Sequence, residues 1–220
     1  MTGVVILAAE LLAIPSSSCD EGAVVDFVSR RLTFRGWNVS LQEVTTGRSN
    51  VWATRGGGVV TLSTYLDTVP LYFGPRLEND RLYGRGSCDA KGIAATMLAT
   101  ADELIESKEE RFDLLFVIGE EQGSDGARLA NQLPATSRYL INGKPTGSVV
   151  VSGAKGSLRV TIRTHGRAAH STYPRLGKSA RHVRRVESFD DRLFGSGREI
   201  AAQGADLAAH VLSRRVDIGA

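Results

Sequence analysis

The sequence predicts an α/β fold, a mostly parallel sheet flanked by helices, and three observations carry it. Val59 to Tyr65 is apolar and β-branched enough to be a central strand, and Asp113 to Gly119 is a continuous apolar run, as a strand buried on both faces is. Between them Gly92 to Ser107 places Ile93, Met97, Ala101, Leu104 and Ile105 at helical spacing. A helix near Ala127 to Gln132 and a strand at Tyr139 to Asn142 then repeat the alternation that builds parallel sheets. With 220 residues, 42% of them hydrophobic, the chain is long enough to bury such a core.

The elements follow in order. Val4 to Ile14 is apolar apart from Glu10 and well short of a bilayer span, which predicts a buried N-terminal helix and no membrane anchor. After the break at Pro15-Ser-Ser-Ser, Glu21 to Arg35 sets Val24, Phe27, Val28 and Leu32 on one helical face and stops at Gly36. Asn38 to Val44 and Asn50 to Arg55 read as strands, and Gly56-Gly-Gly turns the chain into the central strand Val59 to Tyr65. Arg81 to Gly86 reads as loop. Near Val150 to Gly153 the texture changes, and Ser157 to Thr164 alternates like a half-exposed strand of a second, smaller domain. The expected division is 1–152 for the α/β domain, 153–180 for the first strand and loop of the second domain, and 181–220 for a divergent tail. In that tail arginines interrupt each apolar face, and only Ala201 to Leu212 has a helical pattern.

Twenty-seven basic against 24 acidic residues leave a formal charge of +3, with no sustained basic patch, so nucleic acid is not an expected partner. Two cysteines, Cys19 and Cys88, and the lack of a secretory pattern point to a reducing cytoplasm.

Catalytic groups of such sheets collect at the carboxyl ends of strands, and that is where the acidic residues fall. Asp67 follows the strand ending at Tyr65, Asp89 stands just before a helix, and Glu120-Glu121 follows a buried strand. Adjacent carboxylates there repel unless one holds a cation or a proton. A hydrolytic metal site uses that pattern, one carboxylate as ligand and its neighbour as general base. Each residue also has a plainer role: Asp89 as a helix N-cap, the Glu pair as a solvated loop, and Cys88 as a small buried packing residue.

Five segments in order resemble the successive signatures of one family. They are Leu62-Ser-Thr-Tyr-Leu-Asp-Thr-Val-Pro, Leu82-Tyr-Gly-Arg-Gly-Ser-Cys-Asp-Ala-Lys-Gly, Gly119-Glu-Glu-Gln-Gly-Ser, Asn142-Gly-Lys-Pro-Thr and Gly166-Arg-Ala-Ala-His-Ser-Thr-Tyr-Pro. The family is that of zinc metallopeptidases and deacylases including acetylornithine deacetylase, succinyl-diaminopimelate desuccinylase, aminoacylase and carboxypeptidase G. The resemblance implies a zinc-exopeptidase-like catalytic domain followed by the start of a small α+β lid and dimerisation domain. It implies two zinc ions, or cobalt in their place. Asp89 matches the bridging ligand, Glu120 the general base, Glu121 a ligand of one zinc, and Asp67 the aspartate that orients a histidine ligand two residues earlier. His170 matches a substrate-holding histidine of the lid; apart from the resemblance it reads as a surface loop residue.

Two ligand positions depart from the pattern. Tyr65 stands where the family has histidine, and Lys144 stands where it has an acidic ligand. A neutral phenol is a poor zinc ligand, and an ammonium brings a positive charge to the place of a cation. Lys144 is expected to fill that site as a cation paired with Asp89. The last histidine ligand of the family falls in a later third that this chain does not match, so the chain reads as truncated, with a tail that is frameshifted or alternatively read. The function expected is that of a homologue of amidohydrolases cleaving N-acyl amino acids or small peptides, impaired or inactive. The alternative is a catalytically silent binding or dimerisation remnant, pairing with itself or with a complete paralogue. The early end also predicts an exposed apolar sheet edge.

Overall fold

The structure is a computed structural model and describes residues 3–133, 137–151, 153 and 166–178. The chain divides into two units, Met1–Ser152 and Gly153–Ala220. The predicted strand at Ser157 to Thr164 and the helical pattern at Ala201 to Leu212 lie outside the described residues.

In the first unit α1 (Gly3–Leu12) and α2 (Gly22–Phe34) precede β1 (Asn38–Thr45), β2 (Arg48–Thr54) and β3 (Val60–Tyr65). Then come β4 (Arg76–Glu78), β5 (Arg81–Tyr83), α3 (Lys91–Glu106), β6 (Phe112–Val117), α4 (Asp125–Ala130) and β7 (Tyr139–Asn142). Five strands form one sheet in the order β1-β2-β6-β3-β7. The α/β class stands, and the sheet is mixed: β1, β2 and β6 run antiparallel in succession, while β6, β3 and β7 run parallel.

The core explains why β6 is central. All six of its residues are buried, with Phe112, Leu114 and Phe116 joining the larger apolar cluster and Leu115 and Val117 the smaller one. The larger cluster takes Leu7 and Leu11 from α1, Val24, Val28 and Leu32 from α2, and Ala94, Leu98 and Ala101 from α3. The α2 face is the one read from the sequence, whereas α3 is turned so that Ala94 and Leu98 join Met97 and Ala101 in the core while Ile93, Leu104 and Ile105 pack partly buried at its margin. The smaller cluster gathers Tyr65, Ala90, Leu115 and Val117, with Ala127 and Ala130 of α4 against it. No described helix is long and apolar enough to cross a membrane.

Two local expectations are corrected. Residues Arg81 to Gly86 are not all loop, because Arg81–Tyr83 pairs antiparallel with Arg76–Glu78 as a separate hairpin. Its two-residue turn, Asn79-Asp80, has both φ angles positive, as a mirror-image hairpin turn requires. Cys88 is exposed, not buried packing. The sheet edge expected to be apolar and open is β7, whose four residues are all exposed, Leu140 by 63% and Ile141 by 57%.

In the second unit a short 3-10 turn, Pro174–Leu176, follows the loop bearing His170, and an isolated bridge joins Arg167 to Lys178.

Candidate active site

The three parallel strands deliver their carboxyl ends to one mouth. β3 ends at Tyr65 and runs on to Asp67, β6 runs on to Glu120 and Glu121, and β7 leads to Lys144. The chain passes from β3 through α3 to β6 on one side and then from β6 through α4 back past β3 to β7 on the other, a reversal of the kind at which clefts form in such sheets. Asp89 comes from the loop just ahead of α3. It does not cap that helix: the residue before the first turn is Ala90, and no side chain makes a cap bond there.

Asp67 is fully buried and is the organising anion of the mouth. Its carboxylate accepts from Ser18 Oγ at 2.7 Å, from the Glu120 N–H at 3.0 Å and from the Glu121 N–H at 3.1 Å. The loop 16–18 is itself laced to the end of β3, with the Thr68 N–H on the Ser16 carbonyl and the Ser18 N–H on the Thr68 carbonyl. Asp67 therefore holds the Glu120-Glu121 backbone, and the expected orientation of residue 65 by Asp67 is replaced by this role.

Tyr65 is buried and donates its hydroxyl to Asp89 Oδ1. Burial, the bond to Asp89, and the charges of Asp89, Glu120 and Glu121 push its phenol well above the usual range, so it is a neutral donor at any physiological pH. Lys144 does not pair with Asp89 as expected. Its Nζ lies 2.6 Å from Glu120 Oε1 and 4.1 Å from the centroid of the Tyr65 ring. The reason is local: Asp89 is already taken by the phenol, and the backbone before Lys144 is pinned by the Gly143 N–H on the Ser63 carbonyl at 2.7 Å and by Thr64 Oγ1 on the Gly143 carbonyl at 3.0 Å. Gly143 is required there because a Cβ would run into Ile93 and Met97 of α3. Glu121 has its carboxyl raised above the ordinary range by burial first and then by Glu120, Asp89 and Asp67, with Lys144 opposing.

Sequence reasoning missed an ionic clamp behind the mouth. Arg48 meets the buried Glu21 through Nε and Nη2, each at 2.8 Å, and Asp125 through Nη1 at 2.9 Å. It ties the start of β2 to the loops on either side of Asp67. No spacing rule finds it, since the partners lie 27 and 77 residues away. Lys91, fully buried at the start of α3, donates to the Ile14 carbonyl, and burial lowers its ammonium to a pKa of about 8.

His170 is exposed in the second unit, its Nδ1 accepting the Thr172 N–H at 3.2 Å. The four histidines, His165, His170, His182 and His210, all fall in that unit, so none belongs to Met1–Ser152.

The pair of zinc ions that the resemblance implies does not fit the described residues of the mouth. Among the described residues no three His, Cys, Asp or Glu side chains are grouped to hold a metal. One oxygen of Asp89 is engaged instead by a phenol and one oxygen of Glu120 by an ammonium. Structural and catalytic zinc sites need three or four protein ligands, thiolate, imidazole or carboxylate, and neither phenol nor ammonium supplies one.

The model of peptidase family M20/M25/M40 matches residues 62–213. A probable carboxypeptidase of Aspergillus clavatus is 36% identical over 204 residues, 84% of this chain and 49% of the relative. Among solved structures, a tripeptidase from Staphylococcus aureus superposes with a TM-score of 0.58 at 18% identity, over 81% of this chain and 53% of that one. An M20 family metallo-carboxypeptidase from Sulfolobus solfataricus gives a TM-score of 0.55 at 24% identity, over 64% of this chain and 37% of that one. The chain spans about half the length of the curated relatives it matches.

Proposed function

Since the chain belongs to peptidase family M20/M25/M40, we propose that it is a peptidase-type hydrolase unit, of the kind that acts on N-acyl amino acids or small peptides, in a form that does not hydrolyse them by itself. The observation that carries this is the contact of Lys144 Nζ with Glu120 Oε1 at 2.6 Å. Glu120 is the residue matched to the general base. That contact places an ammonium donor on the carboxylate where a general base would accept a proton from water. Zinc or cobalt is the metal such chemistry would call on, and the mouth does not offer it a ligand set.

The test is an assay of the full chain, with added zinc or cobalt, on N-acetylornithine, related N-acyl amino acids and N-blocked dipeptides. The expected result is turnover no greater than that of the Glu120→Gln chain. Turnover that Glu120→Gln abolishes would overturn the proposal.

A second reading, a binding or dimerisation unit, is favoured by the exposed β7 edge, whose free backbone groups and exposed Leu140 and Ile141 suit addition of a strand. A second copy or a complete paralogue is the partner this reading names. Light scattering of the chain, alone and mixed with a full-length relative, tests it, and a monomer in both samples counts against it. A reducing cytoplasm is the compartment proposed, in keeping with two free, exposed cysteines.

A further inference from the structure

We infer that the chain carries its own substitute for a divalent cation at the mouth of the sheet: the Lys144 ammonium supplies the positive charge, the Tyr65 hydroxyl supplies the bond to Asp89, and together they exclude metal. The inference rests on the proposed family reading of this mouth and says what has become of its cation.

Asp67, Asp89, Glu120 and Glu121 converge where three strand ends meet, a concentration of negative charge that is costly without a counter-ion. Asp67 is satisfied by one hydroxyl and two backbone N–H groups. Asp89 accepts the phenol and Glu120 the ammonium. The two donors form one assembly, for the ammonium rests over the ring of the same tyrosine at 4.1 Å, where the ring's negative face attracts it. Entry of a dication would have to break both bonds, and it would meet a like charge fixed by the Gly143 backbone. After entry the ligands this unit itself offers would be carboxylates, since no histidine belongs to it.

The substitution has a measurable signature apart from catalysis. The full chain is titrated with zinc by calorimetry and with cobalt by its visible absorption, and melted in chelator and in excess zinc. The expected result is no stoichiometric uptake at micromolar metal and a melting temperature unchanged by zinc. The double variant Tyr65→His, Lys144→Glu, which puts two ligand types beside Asp89, is expected to bind zinc at least tenfold more tightly, with a melting temperature that zinc raises. Lys144→Met removes the ammonium without adding a ligand and is expected to fall between the two; it decides the matter if the double variant does not fold. Stoichiometric uptake by the unaltered chain that Asp89→Asn abolishes would overturn the inference, as would variants that bind no more tightly than the unaltered chain. Metal uptake without turnover defeats this inference and spares the functional proposal, whereas turnover without metal uptake does the reverse.

Discussion

Asp67 and Asp113 are both fully buried carboxylates, one just past the end of β3 and the other inside the neighbouring β6, yet the first is saturated with donors and the second is poorly supplied. Asp67 lies two residues past the end of β3, where the N–H groups of Glu120 and Glu121 have left the ladder and are free to point at it. Asp113 lies inside β6, opposite Thr61, where backbone groups serve the sheet, and neither of its oxygens has a hydrogen-bond partner among the described residues. Burial raises the Asp113 carboxyl above its ordinary range, with the nearby Gly58 N–H, too poorly placed for a proper hydrogen bond, opposing it only in part. The same charge is thus structural at the carboxyl end of the sheet and a liability at the amino end. What separates them is the supply of unspent backbone donors.

The largest break in that contrast is expected from Asp67→Ala. It orphans one hydroxyl and two N–H groups, and should lower unfolding free energy by about 3 kcal/mol or more in urea. Lys91 is the cationic counterpart of Asp113, a buried charge with one carbonyl partner. Its folded pKa of about 8 lies below the ordinary 10.5, so the unfolded chain binds more protons between those values and stability should rise with pH across that window. The rise is on the order of 3 kcal/mol at most, and Lys91→Met should flatten it in melts taken from pH 7 to 10.5. Asp113→Asn should stabilise the protein by about 1 kcal/mol at neutral pH. The sign follows from an acid whose folded pKa is raised: stability falls as pH climbs above the ordinary 3.8 towards the folded value, and the asparagine variant should lack that fall. Glu121→Gln should act in the same direction and least, by under about 1 kcal/mol, because the group is half-exposed and solvent screens it. A destabilising Asp113→Asn would dissolve the contrast with Asp67.

The fold was legible wherever burial writes a period into the chain. α3 and β6 follow from Ile93 to Ile105 and from the apolar run after Asp113, and the helix faces at Val24, Val28 and Leu32 pack as their spacing requires. The β4–β5 hairpin was not legible from pattern, because its strands are three residues each and almost wholly exposed. Its one signal is Asn79-Asp80, a pair suited to positive φ. At the mouth, residue types named the charges but not their pairing. Tyr65 takes Asp89, which turns Lys144 to Glu120, and that choice depends on where Gly143 lets the backbone lie. Arg48 was silent for the same reason: its partners are near only after folding.

Lys144 hangs two residues beyond β7, which among the described residues is an edge strand paired with β3 over four residues. Edge strands open locally at a fraction of the global unfolding free energy. Fraying of that edge would carry the Lys144 backbone away from Glu120 as well, a slower route to loss of the ion pair than rotation of the lysine side chain. Amide exchange at Leu140 to Asn142 then reports how often the backbone that carries Lys144 to the mouth comes away from β3.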